Sequence, residues 1–140
     1  MKRDMRGIHI GRKLENPEQL KDLAFNLNVA APRKPFHVTL AYSRRKVDWK
    51  AIRPHTSNMI IRPLNPRLER LGGGSVLAVV FGCYPLVDRW QELCDLGAAW
   101  DYPQYKPHIS LGRYRRGIDL DQPLEIDPLI FGPEYRKEPK

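Results

Sequence analysis

Two tetrapeptides in this chain have the residue types and spacing for acid-base chemistry: His37-Val38-Thr39-Leu40 and His108-Ile109-Ser110-Leu111, 108 − 37 = 71 residues apart. At the same offset Pro32 meets Pro103, and Arg44-Arg45 meets Arg115-Arg116, which suggests an internal duplication. On a strand, residues i and i+2 share a face, so each histidine points with its hydroxyl neighbour while Val38, Leu40, Ile109 and Leu111 point to a core. If a pseudo-twofold axis relates the two strands, one cleft holds two imidazoles and two hydroxyls. One neutral imidazole can then deprotonate a ribose 2′-hydroxyl or a water, and the opposite imidazolium can protonate a departing 5′ oxygen. An unperturbed pKa of ~6.5 lets histidine fill both roles near neutrality. Thr39, Ser110 and nearby amides can bind the non-bridging oxygens of a phosphodiester as their charge grows. The bland alternative is a pair of hydrogen-bonded strand histidines; one copy alone favours it, and two equivalent copies in a basic chain favour catalysis. No third clustered ligand accompanies the pair, so neither a metal nor another cofactor is expected.

The chain carries 24 Lys and Arg against 16 Asp and Glu in 140 residues, a formal charge of +8. Such a field concentrates anions, although a basic surface that only aids solubility has the same composition. The length suits one domain, residues 1–140. The longest apolar run, residues 76–81, is far short of the ~18 residues that span a bilayer. The basic opening, residues 1–6, precedes too short an apolar stretch for a secretory signal. The expectation is a cytoplasmic protein with no membrane partner. Cys83 and Cys94 show no Cys-x-x-Cys pattern and read as reduced structural thiols.

With 13 prolines, roughly twice the ~5% average, the chain does not read as a helix bundle. Residues 7–14 form an expected strand, with Ile8 and Ile10 on one face and His9 on the other. Asn16 suits a helix N-cap, Pro17 the first helical position, and Leu20, Leu23, Ala24 and Leu27 an apolar stripe. A proline-rich loop, 31–35, enters a strand over 36–42, and a basic segment follows over 43–50. Residues 58–62 and 67–71 flank Pro63 and Pro66 and read as an edge strand or two extended pieces. The Gly72-Gly73-Gly74 turn leads into a strand over 75–81, forming an antiparallel hairpin. A second helix is expected over 87–100, a strand over 108–113 and a last strand over 124–131, with 134–140 a frayed tail or a flap. Tyr42, Trp49, Tyr105 and Tyr135 can stack a nucleobase, and Lys106 can reach a phosphate and keep the adjacent imidazole neutral by repulsion. His55 lies in a polar loop and reads as structural or exposed.

The paired His-x-Thr and His-x-Ser strands resemble the 2H phosphoesterase superfamily. Within it, Gly7-Ile8-His9-Ile10-Gly11, the stretches around both histidines and Phe131-Gly132-Pro133-Glu134 look most like the phage anti-CBASS nucleases. The resemblance runs across almost the whole chain. It implies an α+β fold of two pseudo-twofold-related lobes of antiparallel strands, with flanking helices around a central cleft. It also implies metal-independent cleavage of cyclic di- and trinucleotide signals, so that a small cyclic nucleotide, and no duplex nucleic acid, is the expected partner. His37, Thr39, His108 and Ser110 carry over as catalytic residues, Ser110 in place of a commoner threonine. His9 stands near a position that is often aromatic, and Glu134 resembles a carboxylate near the nucleotide. Two alternatives stand beside this reading: a 2′,3′-cyclic phosphodiesterase or RNA-end-processing enzyme of the same superfamily, and a basic nucleotide- or RNA-binding module without chemistry.

Overall fold

Alternation of buried and open positions sets the first strand, β1 (Met5–Leu14): Ile8, Ile10 and Leu14 are fully buried, and His9 lies on the opposite face. The computed structural model describes residues 2–30 and 32–140; Met1 and Ala31, the first residue of the expected proline-rich loop, lie outside the described residues. After β1 come α1 (Glu18–Asn26), β2 (His37–Asp48), a single 3-10 turn (Trp49–Ala51), β3 (Met59–Ile61), β4 (Leu64–Leu71) and β5 (Val76–Gly82). Then follow α2 (Tyr84–Asp95), β6 (His108–Arg113) and β7 (Leu129–Lys137).

All strand pairings are antiparallel, and the fold is α+β. One sheet has the order β2-β1-β7-β3 and the other β4-β5-β6. In each, a strand, a helix and a histidine strand follow one another, as β1-α1-β2 and β5-α2-β6, with the two strands paired. The third strands are exchanged: β4, which follows the first histidine strand, joins the second sheet, and β7, at the chain end, joins the first. One apolar cluster spans both sheets and both helices, including Ile10, Leu20, Val38, Leu40, Phe81, Leu86, Leu93, Ile109 and Leu111. Fully burying each such side chain stabilises the fold by ~1.5–3 kcal/mol.

The boundaries depart from expectation in several places, and the last strand, expected over 124–131, begins only at Leu129. The strand expected over 36–42 runs on through the basic segment to Asp48: Val47 and Ser43 are buried and pair with Arg6 and Ile8, and the cations at 44–46 bulge outward between them. Helix α2 starts at Tyr84 and ends at Asp95, because Pro85 fits the first turn and Gly97, with φ +108°, ends it. Asn16 does not cap α1. Its side chain instead donates to Pro128 O (3.0 Å) and accepts from Ile130 N (2.8 Å), tying the helix entrance to β7. Residues 134–137, expected as tail or flap, are the second half of β7, paired to β1 from Arg12↔Glu134 to His9↔Lys137.

Two buried arginines hold β7 in that position. Arg12, 2% exposed, donates from one NH to Gly132 O and Ser57 O, both at 2.8 Å. Arg89, 4% exposed, makes a bidentate pair with Glu134 (Nε to Oε2 2.9 Å, NH2 to Oε1 3.0 Å) and donates to Arg53 O at 2.7 Å. The Glu134 side chain, 1% exposed, also accepts from His55 N at 3.0 Å. Both cysteines are free, and burial pushes both thiols up. Among the described residues no helix is long and apolar enough to cross a membrane.

A pair buried this deeply costs most when half of it is removed, because the remaining charge loses its partner without regaining water. Glu134→Gln and Arg89→Met should each lower unfolding free energy in urea by about 3–5 kcal/mol, and the double apolar variant Arg89→Met/Glu134→Leu should lose less than either. Single variants within ~0.5 kcal/mol of the parent would show that the pair does not hold β7.

Candidate active site

The two histidine strands are both edge strands, β2 of the larger sheet and β6 of the smaller. They approach within 8 Å, Cα to Cα, without sharing a ladder. Tyr105 bridges them: its hydroxyl donates to Thr39 O at 2.7 Å, while its ring stacks on Trp90 (5.4 Å, 9°) and meets Trp100 edge-on at 5.5 Å. A second bridge runs from Ala99 N to the buried Ser43 hydroxyl at 2.9 Å. Burial raises the Tyr105 phenol well above its ordinary range, so it remains a donor at any working pH. Tyr105, expected to stack a base, is instead 8% exposed and part of the scaffold.

Each histidine is anchored the same way. His37 Nδ1 meets Pro35 O at 3.1 Å and His108 Nδ1 meets Lys106 O at 2.8 Å, and the two carbonyls are again 106 − 35 = 71 residues apart. A carbonyl only accepts, so Nδ1 carries the proton in both rings and Nε2 is left as the basic nitrogen. Thr39, His108 and Ser110 line an open cleft of ≈ 630 Å³, together with Tyr42, Lys106 and the segment 100–104. His37 does not itself line this cleft, yet its charge is felt by both His108 and His9. Burial holds His108 below the usual imidazole range and His37 adds to it, against the pull of the Lys106 carbonyl and Glu69. Lys106 lines the cleft with its ammonium paired to Glu69 at 3.1 Å, and its effect on His108 comes through its backbone carbonyl rather than through the expected charge repulsion.

On the same face of the larger sheet, His9 is opposite Tyr42, with ring centroids 5.2 Å apart, and Tyr135 lies edge-on at 5.7 Å. Its Nε2 is buried and has no hydrogen-bond partner among the described residues. Burial, then Lys137, His37 and Lys34, lower the His9 pKa to about 4, so the ring is neutral at pH 7. Gly11 makes room for Tyr135: a Cβ there would fall 2.7 Å from Val38 O and closer still to the phenol oxygen. Burial also raises the Tyr135 phenol.

Two candidates lie elsewhere. Trp49 is 8% exposed, donates its indole N–H to Gly7 O at 3.0 Å and carries the Arg6 guanidinium 3.6 Å above its ring, so its polar edge and one face are closed to a base. Glu134 is sealed against Arg89, and His55 sits beside it with Nδ1 at 3.7 Å. Sequence reasoning missed Glu69, whose partner Lys106 lies far along the chain in the loop before β6, and the aromatic wall formed by Trp100 and Tyr102, the latter 66% exposed. The aromatic-proline run at 100–107 was the available signal for that wall. Among the described residues no group of three His, Cys, Asp or Glu side chains is placed to hold a metal ion.

The family described as anti-CBASS protein Acb1 matches residues 6–139. An anti-CBASS protein Acb1 of Caulobacter sp. (strain RHG1) is 31% identical over 95% of this chain, which spans only 22% of that relative's length. The protein of the same name from Vibrio phage KVP40 is 30% identical over 77% of this chain and 73% of its own. That of Enterobacteria phage T4 is 27% identical over 95% of this chain and 88% of its own. With nearly every residue inside the family match, the chain belongs to the anti-CBASS protein Acb1 family.

Proposed function

We propose that the protein is a phosphodiesterase of the 2H type that cleaves the 3′,5′ linkages of cyclic di- and trinucleotide signals, a viral counter-defence acting in the host cytoplasm. The observation that carries this reading is the matched pair of imidazoles, each with Nδ1 on the carbonyl two residues before it and each two residues from a hydroxyl, on facing edge strands. Such a pair can pass one proton in and one out. His108, half-buried and shifted toward its neutral form, takes the proton from the attacking ribose hydroxyl or water as the new P–O bond forms. His37 in its protonated form delivers a proton to the 5′ oxygen as the old P–O bond breaks. Thr39 and Ser110 donate to the non-bridging oxygens. Trp100 and Tyr102 offer a stacking surface typically worth ~1–3 kcal/mol per base. No step in this scheme needs a metal.

The decisive test is incubation with 3′,3′-cyclic dinucleotides, a cyclic trinucleotide and linear RNA bearing a 2′,3′-cyclic end, all in EDTA, with products separated by chromatography. Linearisation of the cyclic substrates is expected. Intact ligand co-eluting with protein would mean sequestration, cleavage only of the RNA end would mean end processing, and loss of turnover in EDTA would end the metal-free scheme. His37→Ala and His108→Ala should each lower kcat by ~10²- to 10⁴-fold, with the double variant little worse, because the two act as a unit.

The pH profile tests the role of each ring. A base works when deprotonated, and His108 is shifted down, so the acid limb of kcat/KM should fall below pH ~6.5. Glu69→Gln removes a carboxylate that raises the His108 pKa and releases the Lys106 charge, and both changes favour the neutral ring. The acid limb should therefore move to still lower pH; an unmoved limb would assign it to another group.

A further inference from the structure

A second concavity of ≈ 420 Å³ lies on the other side of the His37 strand entrance, lined by Lys13, Lys21, Arg33 and Lys34 over Leu14, Phe36 and three prolines. No carboxylate lines it, and none of the four cations is in an ion pair among the described residues. Its floor is fixed, since Phe36 is 5% exposed and Leu14 N donates to Phe36 O at 2.9 Å. The pocket adjoins the first imidazole. Lys13 is the cross-strand partner of His37, and Pro35, whose carbonyl anchors His37 Nδ1, is part of its wall. By the 71-residue offset, its loop 32–35 corresponds to 103–106, which lines the main cleft. The same place in the two halves thus forms a concavity twice, once walled by aromatic residues and once by cations. Four exposed like charges held together without an anion repel one another, and an anion placed among them relieves that repulsion.

We infer that this pocket is a second phosphate-binding site, distinct from the cleft, which takes a phosphate group of a nucleotide. Its size suits a phosphate with part of a nucleoside, and guanidinium and ammonium groups bind phosphate by charge-assisted hydrogen bonds. The phosphate belongs either to the oligonucleotide held in the cleft or to a separate nucleotide. Binding here is independent of turnover, so it can be read in the His108→Ala protein whether or not the proposed chemistry holds.

Pyrophosphate titrated into ¹⁵N-labelled His108→Ala protein should shift the amides of Lys21, Arg33 and Lys34 saturably. Lys21→Glu/Arg33→Glu should weaken that binding by about tenfold or more. A charge-matched control, Lys46→Glu/Arg116→Glu, reverses two exposed cations outside the pocket and should weaken it much less. Repeating the titration with a saturating 3′,3′-cyclic dinucleotide separates the two sources: displacement assigns the site to the substrate's own phosphate, and retention to a second nucleotide. No saturable shift, or equal weakening by the control pair, would overturn the inference, because the general field of the +8 chain would then account for the binding.

Discussion

The two strands that carry the histidines are tied most directly by the hydrogen bond from the Tyr105 hydroxyl to Thr39 O at 2.7 Å. Two sheet edges face each other across the cleft, and an unpaired edge has backbone groups that must find partners or attract another chain. Direct pairing of β2 with β6 would satisfy them, but it would close the space between the histidines. Tyr105 instead satisfies one carbonyl of β2 from a residue three positions before His108, and its ring is fixed between Trp90 and Trp100. A hydrogen bond of this kind contributes ~1 kcal/mol net, and each aromatic pair ~0.5–1.5 kcal/mol beyond area burial. Those modest sums matter because they act at the one place where no ladder sets the spacing between the sheets.

The histidine anchors follow from the same geometry. At the first residue of each strand the chain is leaving a proline-containing loop, so the carbonyl two residues back turns toward the ring and takes the Nδ1 proton. Two loops of different composition, Pro32-Arg33-Lys34-Pro35 and Pro103-Gln104-Tyr105-Lys106, reach the same arrangement. Backbone shape is thus common to the two halves, while side chains set one imidazole among aromatics and the other beside lysines. Burial then holds His108 below the ordinary range.

Legibility in the sequence was greatest where a local rule decided the outcome. Period-two alternation placed Val38, Leu40, Ile109 and Leu111 inward, and all four are fully buried. The glycine triplet made the hairpin between β4 and β5. Misreadings cluster where a distant partner overrode local preference. Asn16 has the chemistry of a cap, but β7 supplied a better use for both ends of its amide. Residues 134–137 looked like tail because they are charged, and nothing local announces that Arg89 would bury Glu134 from helix α2. Trp49 has the ring of a stacking residue, yet Gly7 O and Arg6, more than 40 positions earlier, close both its polar edge and one face.

The exchange of β4 and β7 ties these observations together. If each half kept its own third strand, the two could separate at the boundary of the repeat, and the spacing between the imidazoles would rest on side chains alone. Because β7 follows the His108 strand but closes the sheet of His37, a displacement of one sheet must pull against the β1-β7 ladder. The Arg89-Glu134 pair carries the same load from the other side, since α2 belongs to the second unit and Glu134 sits in the first sheet. Covalent continuity, a ladder and a buried ion pair thereby cross the cleft boundary at different points. That redundancy lets two edge strands stay close and unpaired, which keeps the cleft beside Thr39, His108 and Ser110 open.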